Sequence, residues 1–264
     1  MKWLSAYPTL VRVGLAETIA YRAEMLVWML TTTMPLVSLA LWSAVAREAP
    51  IGPYGEKEFV RYFLITLLVR QLTGCWLVWE LNHEIRTGIL SQRLLRPIHP
   101  FIAYSAENLG ALPIRALLSS PILAIALYSG GQMLFQGKLS LFLLWLPSLI
   151  GAWLINFFVM AIVGSLAFYI ESATRIFDVY LGCFMVLSGY LVPLSLFPDW
   201  ITKLNNWLPF RYTLGFPVEL AAGLLSPERI WTELGIQWSW AAICCILSLL
   251  IFRRGIIRYS AFGG

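Results

Sequence analysis

The chain has 264 residues, of which 59% are hydrophobic and 12% charged, and its mean hydropathy is +0.74. This composition excludes a water-soluble globular protein and indicates an integral membrane protein. Because one spanning helix takes about 20 apolar residues, the length accommodates about six spans and leaves no room for a large soluble catalytic domain. The net charge of +5 is small and dispersed, so nucleic acid is not an expected partner.

The first 24 residues predict a helix that lies along the membrane surface. Leu4 and Tyr7 fall on one side of such a helix, while Lys2 and Arg12 fall on another. An apolar stripe beside a polar one favours a cytoplasmic interfacial helix over residues 1–24. This helix would serve either as an in-plane anchor or as a contact for a partner.

Six apolar segments are candidates for membrane spans. In chain order they are Leu26–Val45, Phe59–Leu81, a third that starts between Ala103 and Leu112 and ends near Tyr128 or Phe135, Leu141–Ile170, Ile176–Val192 and Ile236–Phe252. An even number of spans places both termini on one side, and the connections on that side carry more Lys and Arg, which predicts cytoplasmic termini. The sequence therefore predicts an all-α polytopic membrane protein in which residues 1–264 form a single transmembrane domain of six helices.

Residues 193–225 are apolar but cannot form an uninterrupted span. Four prolines divide this stretch, namely Pro193, Pro198, Pro209 and Pro217. The pieces around 199–208 and 218–225 have the length of half-helices that enter the membrane and return, which is tolerated where protein buries the turn. We therefore expect an outer re-entrant helical hairpin before the last span. A pair of helices lying flat on the outer surface is the alternative.

The connection between the second and third spans, residues 82–100, predicts a short amphipathic helix on the cytoplasmic face. Ile85, Ile89 and Leu94 recur at roughly helical spacing among polar residues, and Pro97 then stops the helix. A stiff helix at this position suits the transmission of movement from a soluble partner into the neighbouring spans. Simple packing at the membrane interface would produce the same pattern.

Polar side chains within the spans are the candidates for a substrate path. An arginine at the centre of a span costs about 2.5–3.5 kcal/mol, so each should face a cavity, a carbonyl group or an acid. Glu107 could pair with Arg115 or with an arginine of the 86–96 loop. Ion pairs that fix helix packing are favoured over substrate contacts. The four candidates are Arg70, Glu107, Arg115 and Asn156.

Motifs for catalysis are missing from this sequence. It has no G-x-x-x-x-G-K-[ST] phosphate loop and no G-x-S-x-G nucleophile elbow. His83 begins a zinc-binding helix pattern, but Thr87 stands where the second histidine is required. We therefore expect the chain not to be an enzyme and to carry no metal site and no cofactor of its own.

The order and placement of these features resemble the ABC type-2 permeases, the membrane subunits of ATP-driven exporters. The segments that correspond to the family's coupling helix read Glu84-Ile-Arg86-Thr-Gly88-Ile-Leu90 and Leu94-Leu95-Arg96-Pro97. Those that look like its outer hairpin read Ser188-Gly189-Tyr190-Leu191-Val192-Pro193, Leu196-Phe197-Pro198 and Leu208-Pro209-Phe210-Arg211-Tyr212, followed by Pro217 and Gly223. The resemblance covers nearly the whole chain.

The resemblance implies a coupling helix that docks in a groove on an ATPase and a hairpin that forms an outer gate. The implied ATPase contacts are Glu84, Arg86, Gly88, Leu90, Leu94 and Arg96. The implied gate residues are Pro193, Pro198, Pro209, Tyr212 and Pro217. Two ABC ATPase subunits would bind ATP and Mg, and a second permease would complete a path lined by spans one, two and five. A heterodimer of two permeases is favoured over a homodimer. The complex would lie in the lipid of the bacterial inner membrane.

Two other functions remain compatible with the residues. An ATP-independent secondary carrier or channel would normally hold acids or histidines within its spans, where this chain has mainly arginines. A membrane scaffold without a transport path would need no such groups. The substrate is open as well, because lipid, glycolipid, peptide and drug export all suit an apolar wall.

Overall fold

The computed structural model of the protein describes residues 2–21, 27, 33–128, 135 and 138–259. In these ranges the chain is helical apart from its connections, and an isolated bridge joins Ile51 and Tyr54. The helices are α1 (Lys2–Ala20), α2 (Met34–Glu48), α3 (Glu56–Thr73), α4 (Leu77–Thr87), α5 (Leu90–Leu94), α6 (Pro100–Gly110), α7 (Leu112–Tyr128), α8 (Leu139–Ser165), α9 (Ala173–Leu187), α10 (Asp199–Asn205), α11 (Pro209–Thr213), α12 (Gly215–Ala221) and α13 (Pro227–Arg258).

Three helical stretches of the described chain are long and apolar enough to cross a membrane. They are Glu56–Thr87, Leu139–Phe168 and Pro227–Arg258, and they contain the second, fourth and sixth predicted spans almost entirely. Such stretches in an all-helical chain of this composition define an integral membrane protein. This part of the sequence-based prediction is confirmed.

The other three predicted spans are less clearly defined. The first, Leu26–Val45, lies partly outside the described residues, and its described part belongs to α2. The third corresponds to α6 and α7, which meet at Ala111. The fifth corresponds to α9, whose 15 residues fall short of the roughly 20 needed to cross unaided. The six-span topology therefore stays a prediction.

Helix α8 runs between two ends of the bundle. Near its start, the indole N–H of Trp145 donates a hydrogen bond to the carbonyl oxygen of Pro217, 3.1 Å away. Near its end, Gly164 lies so close to Leu81 that an added Cβ would meet that side chain at 3.1 Å. Residues 193–225 and residues 82–100 consequently lie toward opposite ends of the same helices, as an outer hairpin and a cytoplasmic segment require.

Two groups of buried apolar side chains form the core. One surrounds α3, α11 and α12 and includes Phe59, Tyr62 and Phe216. The other surrounds α4, α6 and the second half of α8, and it includes Leu81 and Phe157. Each end of the bundle therefore has a packed core that can hold polar side chains in fixed positions.

Helix α1 packs along α6 through a close approach of the two backbones. A Cβ on Gly110 would lie 2.7 Å from both the amide nitrogen of Leu15 and the carbonyl oxygen of Val11. Since real Cβ atoms do not approach so closely, only glycine allows this crossing. The predicted helix is present over Lys2–Ala20, and its position at the membrane surface stays a prediction.

Candidate functional site

The segment predicted to be one coupling helix consists of two helices joined by a tight turn. Helix α4 ends at Thr87, Gly88 adopts the left-handed conformation with φ +80°, and α5 begins at Leu90. The hydroxyl of Ser91 donates to the Gly88 carbonyl oxygen at 2.5 Å. Glycine is the residue that adopts positive φ without strain, so Gly88 sets the direction in which α5 leaves α4.

Arg93, on the short helix α5, binds three carboxylates. Its guanidinium lies 3.0 Å from Glu80, 2.8 Å from Glu84 and 2.7 Å from Glu107. The ring of Tyr104 lies under the guanidinium at 4.3 Å, and the Tyr104 hydroxyl donates to Glu84 at 2.5 Å. We call these five residues the Arg93 cluster. The cluster ties α5 to both α4 and α6.

The Arg93 cluster carries more negative than positive charge. Three carboxyl groups surround one guanidinium, so the acidic side chains outnumber the basic one. Burial by itself lowers the pKa of Arg93, but hydrogen bonding and charge from Glu107 and the other acids raise this pKa above its ordinary value overall. Arg93 therefore stays charged and occupies the position where a cation would otherwise bind. Among the described residues, no group of three His, Cys, Asp or Glu side chains is placed to hold a metal ion.

The six implied ATPase contacts do not share one surface. Glu84 and Leu90 are buried, the first in the Arg93 cluster and the second in the core. Arg86 donates a hydrogen bond to the carbonyl oxygen of Ile170. Gly88 forms the turn, Leu94 is half-buried and Arg96 is exposed.

The exposed surface around α5 includes Arg96, which the resemblance implied, and three residues that it did not. Leu95 is 87% exposed, and Ile89 is 40% exposed. Gln92 and Arg96 are exposed beside them. This apolar and polar surface, formed by Ile89, Gln92, Leu95 and Arg96, is called the α5 surface below. Burial is the property that separates its members from Glu84 and Leu90, and helical spacing alone did not reveal it.

The second predicted span is not a continuous helix. Residues 74–76 interrupt it between α3 and α4. The guanidinium of Arg115 donates to the carbonyl oxygen of Gly74 at 2.6 Å and lies 4.4 Å from the ring centre of Trp76. The side-chain amide of Asn156 donates to the carbonyl oxygen of Thr73 at 3.3 Å. Two of the predicted intramembrane polar residues therefore satisfy backbone groups that the interruption leaves free.

The remaining intramembrane candidates lie elsewhere. Glu107 pairs with Arg93 of the 86–96 loop, which was one of the two pairings expected for it. Arg70 is half-buried, and its guanidinium lies 5.1 Å from the ring centre of Phe184. The four candidates thus do not converge on one polar path in the described chain. At least three of them stabilise helix contacts.

A second arginine-centred cluster lies within residues 193–225 and the start of α13. Arg211 lies 2.8 Å from Glu219 and 2.8 Å from Glu233. The Tyr212 hydroxyl also donates to Glu233, at 2.9 Å. We call these four residues the Arg211 cluster. It ties α11 to α12 and to the last long helix, and all four side chains are largely buried.

The implied gate residues mark the boundaries of short helices. Pro193 is buried and precedes a turn at Leu194–Leu196, and Pro198 is exposed and precedes α10. Pro209 begins α11, and Pro217 lies in the first turn of α12. Tyr212 is fully buried. The segment therefore has three short helices where the sequence predicted two pieces, and whether it re-enters the membrane stays a prediction.

The structure is that of a helical integral membrane protein with a polar cluster at each end. A family model described as "ABC-2 family transporter protein" matches residues 32–263, so the chain belongs to the ABC-2 transporter family. The resemblance found in the sequence is confirmed.

Two curated relatives are similar to part of the chain. They are the probable multidrug ABC transporter permeases YbhR of Escherichia coli K12 and of Escherichia coli O157:H7. Each is 24% identical over 208 residues, which cover 77% of this chain and 55% of the relative. The chain therefore spans about half the length of the curated relatives that it matches.

Proposed function

We propose that this chain is the permease subunit of an ATP-driven ABC exporter. Its membership of the ABC-2 family and its similarity to a protein named as a probable multidrug ABC transporter permease support this function. The sequence has no phosphate loop, so two partner ATPases would bind ATP and Mg and hydrolyse the nucleotide. This chain would contribute movement and part of the path, and would not be an enzyme.

The α5 surface carries the coupling part of the proposal. It is an exposed turn that the Arg93 cluster holds rigidly to α4 and α6. Leu95 and Ile89 expose apolar side chains beside Gln92 and Arg96, and an apolar group rimmed by polar residues suits a contact with another protein. A displacement of α5 would pass through Arg93 into two helices at once.

The proposed topology has six spans, cytoplasmic termini and an outer re-entrant hairpin at residues 193–225 that gates the path. It lies in the bacterial inner membrane. A second permease, favoured as a different chain, would face this one across a path lined by spans one, two and five. Exposed apolar residues on α2 and α9, among them Leu41 and Val179, give those helices faces that suit lipid or a second permease.

Purification from native membranes tests the proposal directly. We expect stoichiometric co-purification of a chain with a phosphate loop, and Mg-dependent ATP hydrolysis by the complex. Mass spectrometry of the intact complex would count the ATPases and show whether the second permease differs from this chain. Isolation of this chain without any ATPase would refute the proposal.

Substitutions on the α5 surface test the coupling assignment. Leu95→Asp should abolish ATPase co-purification, because it puts a charge into an apolar contact. Leu95→Met keeps the apolar volume and should preserve the complex. Gly88→Trp, which strains a residue with φ +80°, and Leu94→Asp should uncouple hydrolysis from transport while insertion continues. Wild-type co-purification with Leu95→Asp would remove this surface from the proposed contact.

A further inference from the structure

A pocket opens at the carboxy-terminal end of the last long helix, α13, where this helix meets the turn that follows α8. Its volume is about 510 Å³, within the range of about 300–1,000 Å³ that is typical of ligand pockets. Leucine and isoleucine side chains form part of its lining, and two arginines and a tyrosine form the rest. The lining residues are Leu166, Tyr169, Ile251, Arg254, Ile257 and Arg258. The pocket therefore joins an apolar wall to two positive charges.

The two arginines of this pocket have no acidic partner in the described chain. All ion pairs among the described residues involve Arg47, Arg93 or Arg211. Arg254 and Arg258 are exposed and lie four residues apart, so they share one face of α13. Two guanidinium groups on one face without a carboxylate leave an excess of positive charge, which an anion would compensate. A phosphate group suits them well, because a guanidinium can donate two parallel hydrogen bonds to it.

Packing between α13 and the turn at Leu166–Phe168 fixes the shape of the pocket. Gly255 lies directly against the ring of Phe168, and a Cβ at this position would overlap that ring. The guanidinium of Arg258 lies 5.2 Å from the ring centre of Tyr169, a distance typical of a cation–π contact. Arg258 is consequently held in place before a ligand binds, which lowers the entropic cost of binding.

The pocket lies where the apolar part of α13 ends. The sixth predicted span stops at Phe252, directly before the first of three arginines. Phe252 packs against Phe101, with the ring centres 4.6 Å apart, so this end of α13 lies beside the core near residues 82–100. Phospholipid headgroups occupy the depth at which the apolar residues of a span give way to charged ones. A lipid phosphate is therefore an anion that the membrane already holds at the level of Arg254 and Arg258.

We propose that this pocket binds the phosphate of an anionic phospholipid through Arg254 and Arg258, with Ile257 against the start of an acyl chain. Basic pockets between the cytoplasmic ends of spans suit anionic headgroups. Arg86, on α4, donates a hydrogen bond to the carbonyl oxygen of Ile170, close to the pocket in the chain. A bound lipid would thus stabilise the end of the bundle that carries the α5 surface. Binding does not depend on export, and only the choice of the cytoplasmic leaflet rests on the proposed topology.

Native mass spectrometry of the full chain, or of its complex, tests the proposal by counting bound lipids. The probes are phosphatidylglycerol, which is anionic, and phosphatidylethanolamine, which has a phosphate but no net charge. We expect the protein to retain phosphatidylglycerol preferentially. Arg254→Gln and Arg258→Gln should each lower the affinity for it about fivefold, as expected for the loss of one arginine at an anionic membrane surface. Arg253→Gln removes the same charge from an exposed neighbour that does not line the pocket, and should lower the affinity by less than about twofold.

Free phosphate distinguishes a lipid site from a site for a soluble anion. Inorganic phosphate in excess should not displace phosphatidylglycerol, because it gains nothing from the apolar wall. Full displacement would assign the pocket to a soluble anion and overturn the proposal. Equal losses of affinity in all three glutamine variants, or equal retention of the two lipids, would overturn it as well, because the arginines would then attract lipid only as a general basic surface. All three arginines are exposed, so the variants should fold, and a gel-filtration profile matching the wild type verifies this.

Discussion

The two arginine clusters have the same plan but different surroundings. Arg93 binds three carboxylates, and the Glu80 and Glu107 side chains are 24% and 20% exposed. Arg211 binds two carboxylates, and all three of these side chains are at most 14% exposed. Each arginine lies on a helix of five residues and ties it to longer neighbours. Glu80 and Glu107 are therefore more exposed than any member of the Arg211 cluster, whereas Arg93 and Glu84, at 14% and 8%, are about as buried as that cluster.

This difference in exposure indicates different contributions to stability. Partly exposed charges lose less when they separate, so breaking the contacts of Glu80 and Glu107 should cost less than breaking those of the Arg211 cluster. Charges sealed from water lose their compensation when separated, so the Arg211 cluster should keep its geometry. We therefore expect the Arg93 cluster to contribute less to stability than the Arg211 cluster.

Removing Arg211 should have the largest effect on stability. Arg211→Met leaves Glu219 and Glu233 buried without a cation, which costs about 3–5 kcal/mol. Chemical unfolding of the purified protein would measure this loss. The double variant Arg211→Met with Glu233→Gln removes one of the two unpaired charges and should recover part of the lost stability. A wild-type unfolding curve for Arg211→Met would mean that water reaches this cluster.

Removing Arg93 should cost less stability but more coupling. Since Glu80 and Glu107 are partly exposed, we expect Arg93→Met to lower the free energy of unfolding by about half as much as Arg211→Met. ATPase binding should nevertheless weaken strongly, because α5 is no longer tied to α4 and α6. Arg96→Met, an exposed neighbour, is the control for the loss of a positive charge. A greater loss of stability from Arg93→Met than from Arg211→Met would reverse the comparison.

Two buried amide side chains, Gln237 and Asn156, should have smaller and unequal effects on stability when they are replaced. Gln237 donates to the carbonyl oxygens of Ser148 at 3.0 Å and Tyr212 at 2.8 Å, whereas the closest contact of Asn156 is 3.3 Å, to Thr73. Leaving a buried carbonyl unsatisfied costs about 1–3 kcal/mol. Gln237→Leu should therefore lose more stability than Asn156→Leu. Thermal unfolding of the two variants side by side measures the order. A greater loss of stability from Asn156→Leu would mean that the hydrogen bond at the break in the second span contributes more than those of Gln237.

The smallest effect is expected at an exposed ion pair. Arg47 and Glu56 lie 2.7 Å apart, but their side chains are 69% and 42% exposed. Arg47→Ala should therefore change the free energy of unfolding by less than about 1 kcal/mol. The same unfolding assay checks this value and gives the baseline for both clusters. A loss comparable to that of Arg93→Met would show that exposure does not govern these pairs.

Much of the fold follows from local sequence. The apolar stretches within α8 and α13 are long and continuous, and their composition alone predicts them. Pro209 begins a helix as a first-turn proline is expected to do. The close backbone contact at Gly110 could not be predicted, because it depends on α1 arriving from nearly a hundred residues away. A single glycine in a sequence does not identify the helix against which it packs.

The polar sites were harder to predict for the same reason. The charge of Glu107 indicated a pairing with either of two regions, and only the fold selects Arg93. Glu84 was expected at the ATPase contact because the family resemblance placed it in the coupling helix, yet the fold turns it inward. The break at residues 74–76 has a glycine but no proline, so periodicity gave no sign of it.

That break has a consequence for how the protein is made. The carbonyl oxygen of Gly74 is bound by Arg115, which the ribosome adds 41 residues later. Until then, the second span would present an unsatisfied backbone group to the hydrocarbon, and Arg115 alone would be a charge in lipid. Each helix relieves the other's penalty, so the two segments should leave the insertion machinery together, as a paired hairpin. The break at residues 74–76 therefore implies that the second span and the helix that carries Arg115 insert into the membrane together.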